Sequence, residues 1–557
     1  MIEDPALQGI FRTDFRARAA YAEGAGIYRI VPSGVALPAN RDDLTRLVRW
    51  ARRTGSPLIP RGAGSGMCGA NVGAGVVVDL SSLPGVLEFA PAERRARVSP
   101  GITAGQLNQR AAEYGLRLPP DPSSAAWATL GGMASTNAAG PLSLRYGSIR
   151  PWVHALEVVT DDGEVGWTAR GSKDGEPDLP AAFQRFARDV APLLRKSADL
   201  IRQHFPRTRK NSSGYALDAW LESGDTADLW VGGEGTLGLI SGLELRLDPL
   251  PGARAVLQIA LGDLDELAQV VTALLGLRPS TMELLDRTFL DLVAEAAGPE
   301  GLRHIPPATQ AVLLVDFERD NPAAVRGAVG DAARVAGPWT LDLVTALDAA
   351  EERRLRALRA AASPIVAGLS ERRRSMQVIE DGCVPLDRLG AYIRFIREAA
   401  RAHRLQVVIF GHAGDGNVHV NLLPDLDRPD WRTEVVALQE EVMAEVIRLG
   451  GTMSGEHGDG RLRARFLERQ YGPEVVELFR RVKTAFDPDG IFNPGVILPE
   501  AEPPLARLKM GSEAAELPPD IGRALREIER TGGYARSRLS LADAPPDDGG
   551  AARIGRP

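Results

Sequence analysis

Of the seven histidines in this 557-residue chain, two fall in 410-FGHAGDGNVHVNLL-423, seven positions apart, and a third follows a glutamate in 454-SGEHGDGR-461. Two imidazoles and one carboxylate are a donor set that holds a divalent cation while leaving positions open for water or substrate. A cation held that way is a Lewis acid and lowers the pKa of what it coordinates. A lone His-x6-His pair is more often structural than ligating. Here the small residues of the motif, Gly411, Ala413, Gly414 and Gly416, leave space, and Glu456 offers a carboxylate on a second glycine-rich loop. That favours His412, His419 and Glu456 as a metal site, with donors that suit zinc, manganese or cobalt.

The elements around these residues are legible in outline. Residues 405–410 read as a buried strand, 413–417 as a turn and 418–423 as a return strand. In that hairpin His419 and Asn421 share one face and Val418, Val420 and Leu422 the other, while His412 begins the turn. Upstream, Asn40 caps a predicted helix over 41–55, followed by strands at 57–60 and 76–80. Further strands are expected at 96–100, 154–160, 240–247 and 311–317, with helices at 103–115 and 349–362. Asp520 is the expected cap of a short tail helix with Ile521, Leu525 and Ile528 inward and Gly532 as its stop. The end, 544–557, reads as disordered.

Apolar residues make up 44% and charged residues 25%, enough for two or three domains with real cores. The net charge of −7 comes without a basic stripe, which excludes nucleic acid as a partner. No apolar run reaches a membrane span, and the N-terminus carries no secretory signal. With only Cys68 and Cys383, neither a disulfide framework nor a four-thiolate cluster can form, so a cytoplasmic protein is expected.

Gly64, Gly66 and Gly69 match the dinucleotide pattern G-x-G-x-x-G, but context contradicts that reading. The pattern requires a helix directly after the loop, and here 69-GANVGAG-75 runs straight into a strand. Arg61 and the exposed backbone N–H groups of this loop instead form material for an anion-binding nest. Small residues and hydroxyls recur in 119-PPDPSS-124, 129-TLGGMASTNAAG-140, 145-RYGSIR-150 and 232-GGEGTLGLI-240, where a backbone can lie flush against a flat, phosphate-bearing ligand.

In that order these segments resemble the FAD domain of the vanillyl-alcohol oxidase/p-cresol methylhydroxylase superfamily, over about residues 30–250. The resemblance implies an α+β fold with a two-subdomain FAD-binding domain over 1–250 and an α+β substrate and metal cap over 251–482. A segment at 483–500 packs back, and a tail follows over 501–557. It implies FAD contacts from Arg61, Gly62, Ala63, Gly64, Ser65, Gly66, Pro120, Asp121, Ser123, Gly131, Gly132, Thr136, Asn137, Gly140, Tyr146, Gly147, Glu234, Gly235, Gly238, Ile240 and Asn493. Ser65 stands where covalent-flavin members often carry histidine, so non-covalent FAD is expected.

The pair HAGDGNVH and SGEHGDGR is similar to the metal-bearing FAD-linked D-2-hydroxy-acid dehydrogenases, which include D-lactate and D-2-hydroxyglutarate dehydrogenases and the glycolate oxidase flavin subunit. That likeness implies His412, His419 and Glu456 as ligands, zinc as the usual metal, His457 as catalytic base and Asn421 near the substrate. It matches Arg359 to the arginine that clamps the substrate carboxylate, with Ser363 assisting. The reaction implied is oxidation of a small 2-hydroxy acid, with the Cα hydride passing to flavin N5. A flavoprotein oxidase, or an FAD enzyme of this fold with another substrate, is the alternative; a flavin-free metallohydrolase would leave the 61–150 glycine segments unexplained. The GEHGDGR form resembles long proteins that fuse a flavin half to an iron–sulfur half, and Val496 replaces a lysine usual in the family. Electrons are therefore expected to leave through a separate iron–sulfur subunit, cytochrome or quinone, which could hold the protein peripherally at a membrane. A homodimer is compatible with all of this.

Overall fold

Strands Ala253–Leu261 and Ala311–Arg319 are apolar along most of their length because both of their faces are covered. In the computed structural model, which describes residues 3–85, 87–172, 179–297, 302, 305–360, 365 and 368–544, they are neighbours in a seven-stranded sheet. Its spatial order is Thr340–Ala346, Ala253–Leu261, Ala311–Arg319, Thr281–Asp286, Gln406–His412, Asn417–Leu423 and Gly382–Cys383, with every pairing antiparallel. Because side chains alternate along a strand, one face sends Leu284, Ile409, Val418, Val420 and Leu422 into the main core. The other sends Leu285, Val408 and Leu423 into a separate cluster and carries Glu283, Phe410, His412, His419 and Asn421 in the same rows.

The hairpin expected over 405–423 is present, and both of its strands extend further toward the turn than expected. His412 ends the first strand and Asn417 opens the second, paired with each other across it. Glu283 is the cross-strand partner of His412 on the other side, which sets a carboxylate beside that imidazole by register alone.

The N-terminal half holds a four-stranded and a five-stranded sheet, besides a two-stranded pairing of Leu116–Arg117 with Asp248–Pro249. Gly34–Leu37, Val76–Asp79 and Leu58–Arg61 run parallel, with Ile10–Arg12 antiparallel at one edge. The helix Arg41–Thr54 covers them: Asn40 Oδ1 accepts from the Asp43 N–H at 3.1 Å, Gly55 ends it in the left-handed conformation, and Leu44, Leu47, Val48 and Ala51 pack on Val76 and Val78. No helix intervenes between Leu58–Arg61 and Val76–Asp79, so the glycine loop is not a dinucleotide fingerprint. The second sheet is antiparallel, in the order Leu87–Ala90, Arg95–Val98, Leu239–Arg246, Val153–Val159, Val165–Ala169.

After the hairpin the chain returns to this half. Phe479 and Phe486 of the helix Leu467–Phe486 meet Phe205, Tyr215, Phe183 and Trp230 edge-on. The Leu58 N–H donates to Ile491 O and the Asn493 N–H to Leu58 O, at 2.8 and 2.9 Å. The tail helix spans Pro519–Thr531 and stops at Gly532 as expected. Its cap is Pro518 rather than Asp520: a proline at the first helical position presets the backbone, and Asp520 pairs instead with Arg16 at 2.6 Å. Ile521, Leu525 and Ile528 share a core with Ala17, Ala20, Tyr21, Val35 and Ile59. The expectation of disorder over 544–557 falls, apart from Ala544, outside the described residues, as does Ser363.

Leu525→Ala should therefore destabilise the protein by about 2–5 kcal/mol, read as a lowered melting midpoint. A midpoint equal to wild type would mean that this helix does not dock on the N-terminal core.

Candidate active site

The two imidazoles and the carboxylate converge. His412 Nε2 lies 3.1 Å and His419 Nε2 3.3 Å from the same oxygen, Glu456 Oε1, and all three residues are buried. Their other ring nitrogens are held from behind: His412 Nδ1 by Glu283, and His419 Nδ1 by Glu380 at 3.4 Å. Such backing carboxylates fix tautomer and orientation, leaving Nε2 free to ligate. Donor atoms about 2.0–2.2 Å from one ion at tetrahedral or octahedral angles stand about 2.9–3.5 Å apart, so these spacings fit a shared divalent cation.

His457 stacks on His419, ring centroids 5.1 Å apart, and its Nδ1 meets Glu380 at 2.8 Å. The loop that presents Glu456 and His457 is tied down by Asp381, whose carboxylate accepts both of their backbone N–H groups and the Ser454 hydroxyl. Glu380 is held in turn by the fully buried Arg463 at 2.8 Å. Arg359 bonds Glu283 at 3.0 Å with its guanidinium over the Phe410 ring, and Asn421 Oδ1 accepts from Ser375 Oγ at 2.9 Å.

Of these side chains, His412, His419, Glu456, His457, Arg359 and Asn421 open onto one cavity of about 660 Å³ that continues into the N-terminal half. Of the residues expected to contact a flavin, Arg61, Gly62, Ala63, Gly64, Ser65, Gly66, Ser123, Gly131, Gly132, Thr136, Gly140, Glu234, Gly235, Gly238 and Ile240 line it. The bare backbone there is required: Gly64 has φ +78°, and a Cβ would stand 2.3 Å from the Arg61 guanidinium. That wall of glycines and backbone amides fits a long, flat, phosphate-bearing ligand. Six expected residues do not line the cavity, for reasons that the structure supplies. Tyr146 turns its hydroxyl to Glu318 and Arg117. Gly147 ends a short helix, Asn137 ends another and bonds Ser212, and Pro120 and Asp121 precede the lining segment. Asn493 instead braces two loops through Ala70 O and Glu234 O. Arg61 lines the cavity, yet its buried guanidinium is occupied by the carbonyls of Glu23, Tyr21 and Asn71, so it shapes the loop instead of offering its charge.

Sequence reasoning missed Glu283, Glu380, Asp381 and Lys210, and also the tail, whose Arg526, Glu529, Arg530, Thr531, Gly532 and Tyr534 reach the cavity wall. A glutamate inside the apolar strand 281-TMELLD-286 and adjacent acids at 380–381 were the available signals.

Residues 32–169 match the FAD binding domain family and residues 250–497 the family described as FAD linked oxidases, C-terminal domain. The chain is 30% identical to the glycolate oxidase subunit GlcD of Bacillus subtilis, over 84% of this chain and 89% of that protein. The chain belongs to the FAD-linked oxidases. It is 30% identical to a D-lactate dehydrogenase of Archaeoglobus fulgidus, over 83% of this chain and 91% of that protein. Against a D-2-hydroxyglutarate dehydrogenase of Pantoea ananatis the identity is 28% over 87% of this chain, which spans about half (50%) of that protein. In fold it is similar to p-cresol methylhydroxylase, with a TM-score of 0.62 at 16% identity over 88% of this chain and 94% of that one. The expected α+β fold is thus borne out, and the family matches make this an FAD-dependent oxidoreductase.

The electrostatics of this FAD-linked oxidase centre on carboxylates held charged against burial. Burial alone would raise the Glu283 carboxyl, yet His412 and Arg359 bring it down to about 2. Burial opposes a charge on His457, but Glu380 and then Asp381 outweigh it, and its pKa is pushed up to about 10. In the metal-free protein His457 thus keeps its proton at neutral pH. A divalent cation beside it would disfavour the imidazolium.

In NMR titration of metal-free protein, Glu380→Gln should lower the His457 midpoint by about 1–3 pH units. The sign for stability follows from a folded pKa above the ~6.5 of free imidazole. The stabilising contribution is complete below that value and is lost as pH rises through about 10. Glu380→Gln should flatten that alkaline decline in melting midpoint; an unchanged His457 titration would break the assignment of cause.

Proposed function

We propose that the protein oxidises a small D-2-hydroxy acid to the 2-oxo acid. The observation that carries this reading is the convergence of His412, His419 and Glu456, with His457 beside them, on the cavity that the glycine-rich segments of the FAD binding domain also line. Relatives named for glycolate, D-lactate and D-2-hydroxyglutarate support the substrate class, since all three are small 2-hydroxy acids.

In this reading His412 Nε2, His419 Nε2 and Glu456 Oε1 hold a divalent cation, with zinc as the first candidate. When bound, the cation supplies Lewis acidity to the substrate hydroxyl, and non-covalent FAD supplies the hydride acceptor. Every other task falls to side chains. Arg359, already anchored by Glu283, pairs with the substrate carboxylate. Asn421, fixed by Ser375 and Gln377, orients the substrate from the next row of the sheet. His457 takes the hydroxyl proton at Nε2, because Nδ1 is engaged by Glu380. The apolar and backbone lining excludes bulk water from the reacting carbon.

Electrons leave through a separate acceptor, an iron–sulfur subunit, a cytochrome or a quinone, and the protein works in the cytoplasm or at a membrane surface. Among the described residues, no helix is long and apolar enough to cross a membrane.

Anaerobic mixing with D-2-hydroxy acids should bleach the flavin bands of the yellow protein, and the L-enantiomers should not. His457→Ala should retain flavin while the bleaching rate falls about 10²–10⁴-fold. A chelator should stop turnover, with a divalent metal restoring it. Bleaching at the wild-type rate by His457→Ala would remove it as base, and full turnover in verified metal-free enzyme would make the histidine pair structural. Reoxidation by O₂ at the turnover rate would make the protein an oxidase.

A further inference from the structure

Glu456 presents two oxygens in very different surroundings. Oε1 faces the two Nε2 atoms, whereas Oε2 accepts from Lys210 Nζ at 2.8 Å and from the Gly140 N–H at 2.8 Å. Lys210 is buried and also stands 3.5 Å from Asp415 Oδ2, which accepts from Ser143 Oγ at 2.7 Å. Its ammonium is thus flanked by two carboxylates, Glu456 and Asp415. Lys210 lies between the two matched family segments, in 210-KNSSGY-215, and takes no part in the proton and carboxylate handling described above.

Both acceptor directions of Oε2 are thus filled, one by a charge-assisted bond in a dry site. Binding a cation through both carboxylate oxygens would require breaking that bond. We propose that Lys210 is a positioning residue that makes Glu456 a one-oxygen ligand and so keeps a coordination position open for the substrate. Its charge also draws electron density from the carboxylate and opposes the cation, holding metal affinity down and Lewis acidity up. The inference rests on the metal reading of His412, His419 and Glu456.

The test uses full-length, FAD-loaded protein, stripped by chelator and titrated with Co²⁺. Wild type should take up one Co²⁺ with a defined visible spectrum. Lys210→Met should bind Co²⁺ with shifted bands, as expected for an added oxygen ligand, and its KM for the hydroxy acid should rise about tenfold at unchanged flavin content. Lys210→Gln keeps a neutral donor on Oε2 without the charge. Its bands should stay near wild type while its Co²⁺ affinity tightens about tenfold or more, because a cation–cation repulsion has been removed. A purely structural Lys210 would lower the melting midpoint in both variants and leave spectrum and affinity alone. A Lys210→Met spectrum that overlays wild type overturns the proposal. So does a Lys210→Gln affinity equal to wild type, which remains decisive if Lys210→Met fails to fold. Wild-type protein that takes up no Co²⁺ would instead defeat the metal reading, and this inference with it.

Discussion

Two buried carboxylates cross between the halves of the chain in opposite directions, and the site depends on both. Glu456 belongs to the loop after the cap sheet, and its Oε2 accepts the backbone N–H of Gly140 in the flavin-side segment. Glu234 belongs to the flavin-side 232-GGEGTLGLI-240 stretch, and it accepts the N–H groups of Asp459 and Gly460 at 2.8 and 3.0 Å. A buried carboxyl group left without such donors is destabilising by about 1–3 kcal/mol, more if it is charged, so neither half can slide without exposing an unsatisfied group. The crossing also fixes register. The atoms that would hold a metal and the wall that would hold a flavin are set relative to each other by backbone amides, which do not change rotamer.

Around this latch the charges form a closed chain. Arg463 holds Glu380, Glu380 orients His419 and His457, Glu283 joins His412 to Arg359, and Lys210 and Asp415 stand behind Glu456. In the metal-free state the proton on His457 balances part of the carboxylate charge, and Glu283 likewise raises the His412 imidazole against burial. A divalent cation among them replaces protons with metal charge, so metal uptake should be coupled to proton release. In the proposed reaction, the arrangement that keeps His457 protonated without metal is the one through which a bound cation would free its ring to take a proton.

Much of this was legible in the residues. The period-two pattern of 418-VHVNLL-423 put His419 and Asn421 on one face, and the strand after 69-GANVGAG-75 ruled out a dinucleotide loop. What could not be read depends on long-range register. Glu283 reaches His412 only because Thr281–Asp286 pairs with Gln406–His412, across more than a hundred intervening residues. Arg61 looked like an anion ligand because its neighbours are glycines, whereas its guanidinium is occupied by the carbonyls of Tyr21, Glu23 and Asn71. The tail helix carried an obvious apolar stripe, but nothing in its composition pointed to a place on the cavity wall.

The most direct test of the central claim is an anomalous difference map from crystals of metal-loaded protein, measured on either side of the bound metal's absorption edge. The account predicts one peak about 2.0–2.2 Å from His412 Nε2, His419 Nε2 and Glu456 Oε1, with Glu456 Oε2 still on Lys210 and Gly140. A map without a peak at these atoms, from protein shown to be active and metal-replete in solution, would contradict it.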